Sequence, residues 1–243
     1  MKSKNKLLKK KPNWEKIIYW FVLGSMALAS VGVILIMIFA PSSPKIAEPF
    51  ERVKSEYVLM LLQCLLGIFA MFLPSILKNK LRLVIPSKMI IVYAVFLYCA
   101  IFLGEVRKFY YTVPHWDTIL HTSSGAMLGA LGFSFINLLN KTDRVPVNLS
   151  PIFIAVFTFC FAVSLGVIWE IYEFSADCIL GTNMQKFMTE SGEMLIGQKA
   201  LADTMKDLIV DCIGAFVISA IGFVSLKYQK GWVEKMQISV SKK

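Results

Sequence analysis

Histidine is almost missing from this chain: His115 and His121 are the two in 243 residues. Chemistry needing three or more imidazoles is excluded, and no H-E-x-x-H pair exists to seat a peptidase zinc on one helical face. Cysteine is no better placed. The five thiols (64, 99, 160, 178 and 212) form no C-x-x-C, and four lie inside apolar runs, so they read as small packing residues rather than a disulfide framework. No P-loop or dinucleotide fingerprint occurs. "TSSGA" (Thr122 to Ala126) lacks the first glycine of G-x-S-G and is followed by no histidine, which removes a serine-hydrolase reading. The polar–apolar alternation of a transmembrane barrel is absent too.

Acids are the scarcer charge, 16 against 26 Lys and Arg, for a net charge of +10. That excess suggests nucleic acid only until its distribution is read. "MKSKNKLLKKKPNWEK" and "KNKLRLVIPSK" concentrate it in segments that the positive-inside rule places in the cytoplasm. The inner segments, which also include Lys141 to Arg144 and the C-terminal end, hold 18 basic and 3 acidic residues, the outer ones 8 and 13. The basic balance is thus topology with attraction to anionic lipid, and no nucleic-acid partner is expected.

Apolar residue is what the chain has in quantity: 56%, with mean hydropathy +0.63. It comes in six blocks near the length that crosses a bilayer: Ile17 to Phe39, Tyr57 to Leu77, Lys88 to Gly104, Thr118 to Leu139, Pro151 to Phe174 and Leu208 to Leu226. Lipid cannot satisfy an open backbone, so the expected fold is all-α: a polytopic bundle of about six transmembrane helices, N-in and C-in. The first block is too long for a signal peptide, and "MIFAPSSP" has no small-x-small cleavage pair. Residues 1-16 read as a basic cytoplasmic tail, 17-226 as the membrane domain with an outer loop at 178-202, and 227-243 as a second basic cytoplasmic tail. That loop, with glycines at 181, 192 and 197, is too polar to span and reads as an interfacial helix or lid. Tyr110, Tyr111, Trp116, Trp169 and Tyr172 suit an outer aromatic belt. Gly125, Gly129 and Gly132, and Ala215 with Ser219, allow spans four and six to approach neighbours closely.

Acids then appear where they are expensive. Asp117 and His121, with Ser124, share a stripe opening span four. Glu170 and Glu173, with Asp177, share one closing span five. Asp203, Asp207 and Asp211 share one leading into span six. Topology brings all three to the outer face. Asp117 and Asp203 allow a helix-capping role. Asp211 lies inside an apolar run, and Glu170 and Glu173 fall at a helix end whose dipole disfavours them. His115 is about 160° from Asp117 in a continued helix and belongs to no stripe. Such a group of acids must take up protons or bind a cation, and Arg107, Lys108 and Lys206 are the nearby basic residues. Asp117, His121, Glu170, Glu173, Asp207 and Asp211 are the candidate metal ligands. One histidine with several carboxylates suits Zn²⁺, Mn²⁺ or Fe²⁺, and the oxygens admit Mg²⁺ or Ca²⁺.

"DTILHTSSGAMLG", "WEIYEFSAD…GTNMQ" and "DTMKDLIVDCIGA" resemble the YjdF-like family of bacterial integral membrane proteins, over roughly Trp116 to Ala215. More distantly they are similar to VanZ-like proteins, which share a D-x-x-x-H near one span start and a late D-x-x-x-[ND]-x-x-G; the glutamine and arginine after the VanZ-like acid are not present in "WEIYEFSAD". The resemblance implies a multi-pass protein of the bacterial cytoplasmic membrane and carries no reaction with it. Three functions follow from the residues: a divalent-cation site acting on a lipid or cell-envelope intermediate, a membrane scaffold without catalysis, and a cation or proton transporter.

Overall fold

Asn13 begins the first helix, its side-chain oxygen accepting the Lys16 amide at 3.2 Å, and the chain then runs apolar through α1, Trp14–Phe39. The computed structural model describes residues 13–40, 54–140, 149–189, 193–232 and 238–240. Most of the N-terminal tail, the inner loop at 141–148, Gly192 and parts of the C-terminal tail lie outside them. The remaining helices are α2 (Lys54–Leu81), α3 (Ser87–Leu97) with a π-helical continuation at Tyr98–Val106, the short α4 (Phe109–Thr112), α5 (Trp116–Asn140), α6 (Pro151–Leu180) and α7 (Gln198–Lys227). Six of these stretches are long and apolar enough to cross a membrane. Large apolar side chains such as Leu28 and Phe39 face outward, as a lipid-embedded surface requires.

The helices form two three-helix groups. In the first, Val22 and Met26 of α1 pack on Met71 of α2 and Ala94 of α3. Pro74 lies inside α2 and, having no N–H, leaves the Ala70 carbonyl without its helical donor. The Tyr93 hydroxyl supplies one at 3.0 Å, and Tyr19 donates to the next carbonyl, Met71, also at 3.0 Å. Tyr93→Phe should therefore lower stability by about 1–2 kcal/mol, the cost of leaving a buried carbonyl unmet. A thermal melt in detergent reads this, and an unchanged midpoint would contradict it.

The second group is α5, α6 and α7, which pack on one another around Phe133, Ile136 and Ile154. Here α5 and α7 approach backbone to backbone. A Cβ on Gly125 would collide with the Asp211 carbonyl, and one on Gly214 with the Thr122 carbonyl. The small residues of spans four and six thus face each other at Gly125, while Gly132 meets Thr158 and Phe161 of α6. The two groups join through Trp116, whose indole donates to the Cys99 carbonyl at 3.3 Å and whose ring meets Phe109 edge-on. At the opposite end, a two-residue strand β1 (Leu83–Val84) pairs antiparallel with β2 (Ser239–Val240), and the Ile238 amide donates to Ser134. The C-terminal segment is therefore tied to the turn between α2 and α3 rather than running on as a plain tail. This pairing also sets 83–84 and 239–240 at one end of the bundle.

Two helix boundaries differ from the hydropathy blocks. α6 continues six residues past Phe174 to Leu180, where Gly181 closes it in the left-handed conformation (φ 64°). α7 begins at Gln198, ten residues before Leu208, after Gly197 (φ 63°). Hydropathy ends where polar side chains begin, but Asp177 and Asp207 among them are buried in the bundle and the helix carries on. The outer loop shrinks accordingly, to 181–197.

Candidate metal centre

Depth follows from helix rise. At 1.5 Å per residue, Glu170 stands about 29 Å from Pro151, and Asp211 and Asp207 about 24 and 30 Å from Lys227. A hydrocarbon core about 30 Å thick puts all three toward one edge of it, the edge away from Pro151 and Lys227. Asp117 and His121 open α5 at the same level.

The close contact of α5 with α7 brings His121 between aspartates. Its Nδ1 lies 3.3 Å from Asp211 Oδ2, its Nε2 3.6 Å from Asp117 Oδ1 and 4.0 Å from Asp207 Oδ2. The Ser124 hydroxyl is 3.0 Å from the other Asp211 oxygen. Asp211 thus accepts on both oxygens, and a hydrogen bond from Nδ1 leaves the Nε2 lone pair facing Asp117 and Asp207. One donor atom from each of Asp117, His121 and Asp207 falls within 4.8 Å of the others. Bonds of about 2.0–2.2 Å to a tetrahedral ion would set such donors about 3.4 Å apart, so a small closure suffices.

α6 supplies the other acids. Glu170 and Glu173 are both buried. They lie two to three turns inside α6, not at its end, so the expected clash with the helix dipole does not arise. Glu173 accepts from the Trp169 indole at 2.9 Å. Glu170 is 5% exposed, and neither of its carboxylate oxygens has a partner within hydrogen-bond geometry; the Thr204 hydroxyl, which accepts from Gln185, is the nearest group with a proton to offer it. Asp207 is 1% exposed and its Oδ1 is likewise unmet. Asp177 stands apart. It accepts from the Thr182 hydroxyl (2.6 Å) and from the Met184 and Gln185 amides (2.7 and 3.0 Å), and so shapes the start of the outer loop. His115 is exposed and outside the group; it precedes α5 in a left-handed conformation (φ 60°), so its expected angle in a continued helix does not apply.

That loop returns a cation that the sequence reading missed. Lys186 Nζ pairs with Asp117 Oδ2 and with both oxygens of Asp203, at 3.1 Å each for Asp203. Arg107, Lys108 and Lys206, the expected counter-ions, are exposed. Asp203 lies in the second turn of α7 and holds Lys186 rather than capping. Tyr110 also departs from the belt: its ring packs on Gly104. Burial, with Asp117, Glu105, Glu173 and Asp207 nearby, pushes its phenol well above the usual range and keeps it a neutral donor. Nothing local marks Lys186 or Tyr110; each is brought in by tertiary packing.

Burial pulls the Lys186 ammonium down, but Asp117 and Asp203 outweigh it, and its pKa is raised above the ordinary lysine value. A raised folded value means this pair's stabilisation is full below the unfolded pKa, near 10.4, and is lost only as pH climbs through the higher folded value. Loop protection should therefore stay constant from neutral pH to about pH 10, whereas Lys186→Met should expose the loop at neutral pH. Chymotrypsin cleavage at Phe187 reads both; equal protection of Lys186→Met and the parent chain would refute the anchoring role.

The model of a family described as predicted membrane protein (DUF2238) matches residues 26–228. A Thermotoga maritima protein described as uncharacterized is 31% identical over 139 residues, which are 56% of this chain and 60% of that protein. The similarity therefore spans less than two thirds of that relative. No solved structure matches.

Proposed function

This chain belongs to the DUF2238 family of predicted membrane proteins, and we propose that it is a multi-pass protein of the bacterial cytoplasmic membrane that holds a divalent cation at its outer face and uses it on a lipid or cell-envelope intermediate. The observation that carries this reading is the donor set. Asp117, His121 and Asp207 converge, and His121 is turned by Asp211. Burying unpaired charge is costly, and a cation held by these three would offset it.

Asp117, His121 and Asp207 would hold the ion. Their one nitrogen and two carboxylates suit Zn²⁺, Mn²⁺ or Fe²⁺, with Mg²⁺ also admissible. Such an ion supplies Lewis acidity toward a phosphoryl or carbonyl oxygen, or toward water. Asp211 and Ser124 fix the imidazole. Glu173, oriented by the Trp169 indole, is the carboxylate free to take up a proton, and Tyr110 is a neutral phenol near Asp117, Glu173 and Asp207. A lipid substrate is supported by a cleft of about 340 Å³ between α2 and α6, open laterally and lined by Leu62, Leu66, Tyr172, Ala176 and Ile179. Tyr172 adjoins Glu173. Transport along a chain of ionisable groups is disfavoured: α5, α6 and α7 carry none from the level of Asp211 inward until Lys227.

The competing arrangement is a protonated His121 among its aspartates, with no ion. Thermal melts distinguish the two. With ion at a hundred times its dissociation constant, linkage adds about 2.7 kcal/mol to the stability of the parent chain, and a chelator removes it. His121→Ala should lose the response. A parent chain that contains no metal and melts at the same temperature with Zn²⁺, Mn²⁺, Mg²⁺ or EDTA would refute the cation reading.

A further inference from the structure

We propose a second cation position beside the first, formed by Glu170 of α6 and the unmet oxygen of Asp207 of α7, with Asp207 bridging the two ions. It rests on the cation reading above and extends it to a two-ion centre.

The argument begins with register. Gly166 of α6 packs directly on Asp211: a Cβ there would lie 2.7 Å from Asp211 Oδ2. α6 and α7 run antiparallel. One turn outward on α6 is Glu170, and one turn outward on α7 is Asp207, so the two carboxylates come to the same level on facing helices. The groups around Glu170 agree. They are Thr204, Asp203 and Asp211 of α7 and His121 of α5, which place Glu170 against the outer half of α7; its level with Asp207 follows from the register.

Oxygen use is the second point. Asp207 turns Oδ2 toward His121 and leaves Oδ1 buried without a partner. Both Glu170 oxygens are in the same condition. Three buried oxygens on two facing carboxylates thus lie outside the Asp117–His121–Asp207 group. Glu170 is not one of its donors, so a single ion there leaves them unmet.

Charge is the third. Asp117, Glu170, Glu173, Asp203, Asp207 and Asp211 are six carboxylates, and Lys186 is the one lysine or arginine among the described residues that pairs with them. With neutral His121, one divalent ion still leaves three negative charges, and a second leaves one. The donors of the second position are all oxygen, with the Thr204 hydroxyl close by. They suit a hard divalent ion of the Mg²⁺ or Mn²⁺ kind, whereas the histidine-bearing position also accepts zinc. A shared carboxylate between two ions is the arrangement that clamps both the attacking and the leaving oxygen in displacement at a phosphoryl centre.

The test is a count of bound Mn²⁺ on the chelator-stripped, detergent-purified full chain after equilibrium dialysis. Two ions per chain are expected in the parent, one in Glu170→Gln and one in His121→Ala. Glu170→Asp keeps the charge and should keep both ions, with the weaker affinity lowered at least tenfold; this variant decides the matter if Glu170→Gln does not fold. One ion in the parent, unaltered by Glu170→Gln, would overturn the second position and leave the first standing. No ion in the parent would overturn both. Two ions retained in Glu170→Gln, or an unchanged weaker affinity in Glu170→Asp, would remove Glu170 from the site.

Discussion

Gly214→Ala is expected to destabilise the protein by about 1–3 kcal/mol, and Gly214→Val by more. The new Cβ would be driven into the Thr122 carbonyl and would lie 3.1 Å from the Ala126 amide. Both are backbone, held in the α5 ladder, and neither can rotate away. Gly125→Ala makes the reciprocal clash with the Asp211 carbonyl and should behave alike. Separating α5 from α7 also pulls His121 from Asp211, so on the proposed cation reading divalent-ion affinity should fall with stability. Gly24 and Gly32 of α1 provide the contrast. Nothing lies within 4 Å of a Cβ at either, and alanine there should be neutral or gain about 0.5–1 kcal/mol from helix propensity. Thermal melts of the five variants check this. Equal effects in α1 and α7 would mean that the close approach is not what holds the outer site together.

Asp211→Asn is expected to weaken divalent-ion binding about ten- to hundredfold while leaving Asp117, His121 and Asp207 in place. Asp211 orients the imidazole through Nδ1 and takes a second bond from Ser124. The amide keeps one acceptor for Nδ1 but lacks the charge that makes Nε2 a stronger donor to the ion, while Ser124 can turn its proton to the His121 carbonyl and accept from the new NH₂. Ser124→Ala removes only the outer member of this chain and should lie between Asp211→Asn and the parent. Competition against a chromophoric chelator measures all three. A full-strength site in Asp211→Asn would reduce Asp211 to packing.

How far the sequence carried this reading varies by residue. The spans were legible because hydrocarbon imposes length and composition on any helix that crosses it, and the shared depth of Asp117, His121, Glu170, Asp207 and Asp211 followed from counting spans. The ends of α6 and α7 were not legible. Hydropathy treats Glu173 and Asp203 as exits from the membrane, whereas their side chains turn inward and the backbone bonds continue. Asp177 shared the helical stripe of Glu170 and Glu173, yet its partners are loop amides that no stripe reveals. Lys186 lies 69 residues from Asp117 in a loop with no periodicity, and its role depends on how that loop folds back.

The acids of α7 also bear on how the chain is made. An aspartate at the centre of an inserting helix costs about 2.5–3.5 kcal/mol at the translocon, and less toward the ends. Besides Asp203 near its start, α7 carries two fully buried ones, Asp207 and Asp211, and it is synthesised last of the six spans. Its partners for those charges, His121 and Ser124, sit on α5, already emerged from the ribosome and threaded into lipid. Leaving the translocon is thus favourable for α7 chiefly when the groove along Gly125 is there to receive it, and membrane integration of the last span becomes a readout of whether the earlier ones have assembled.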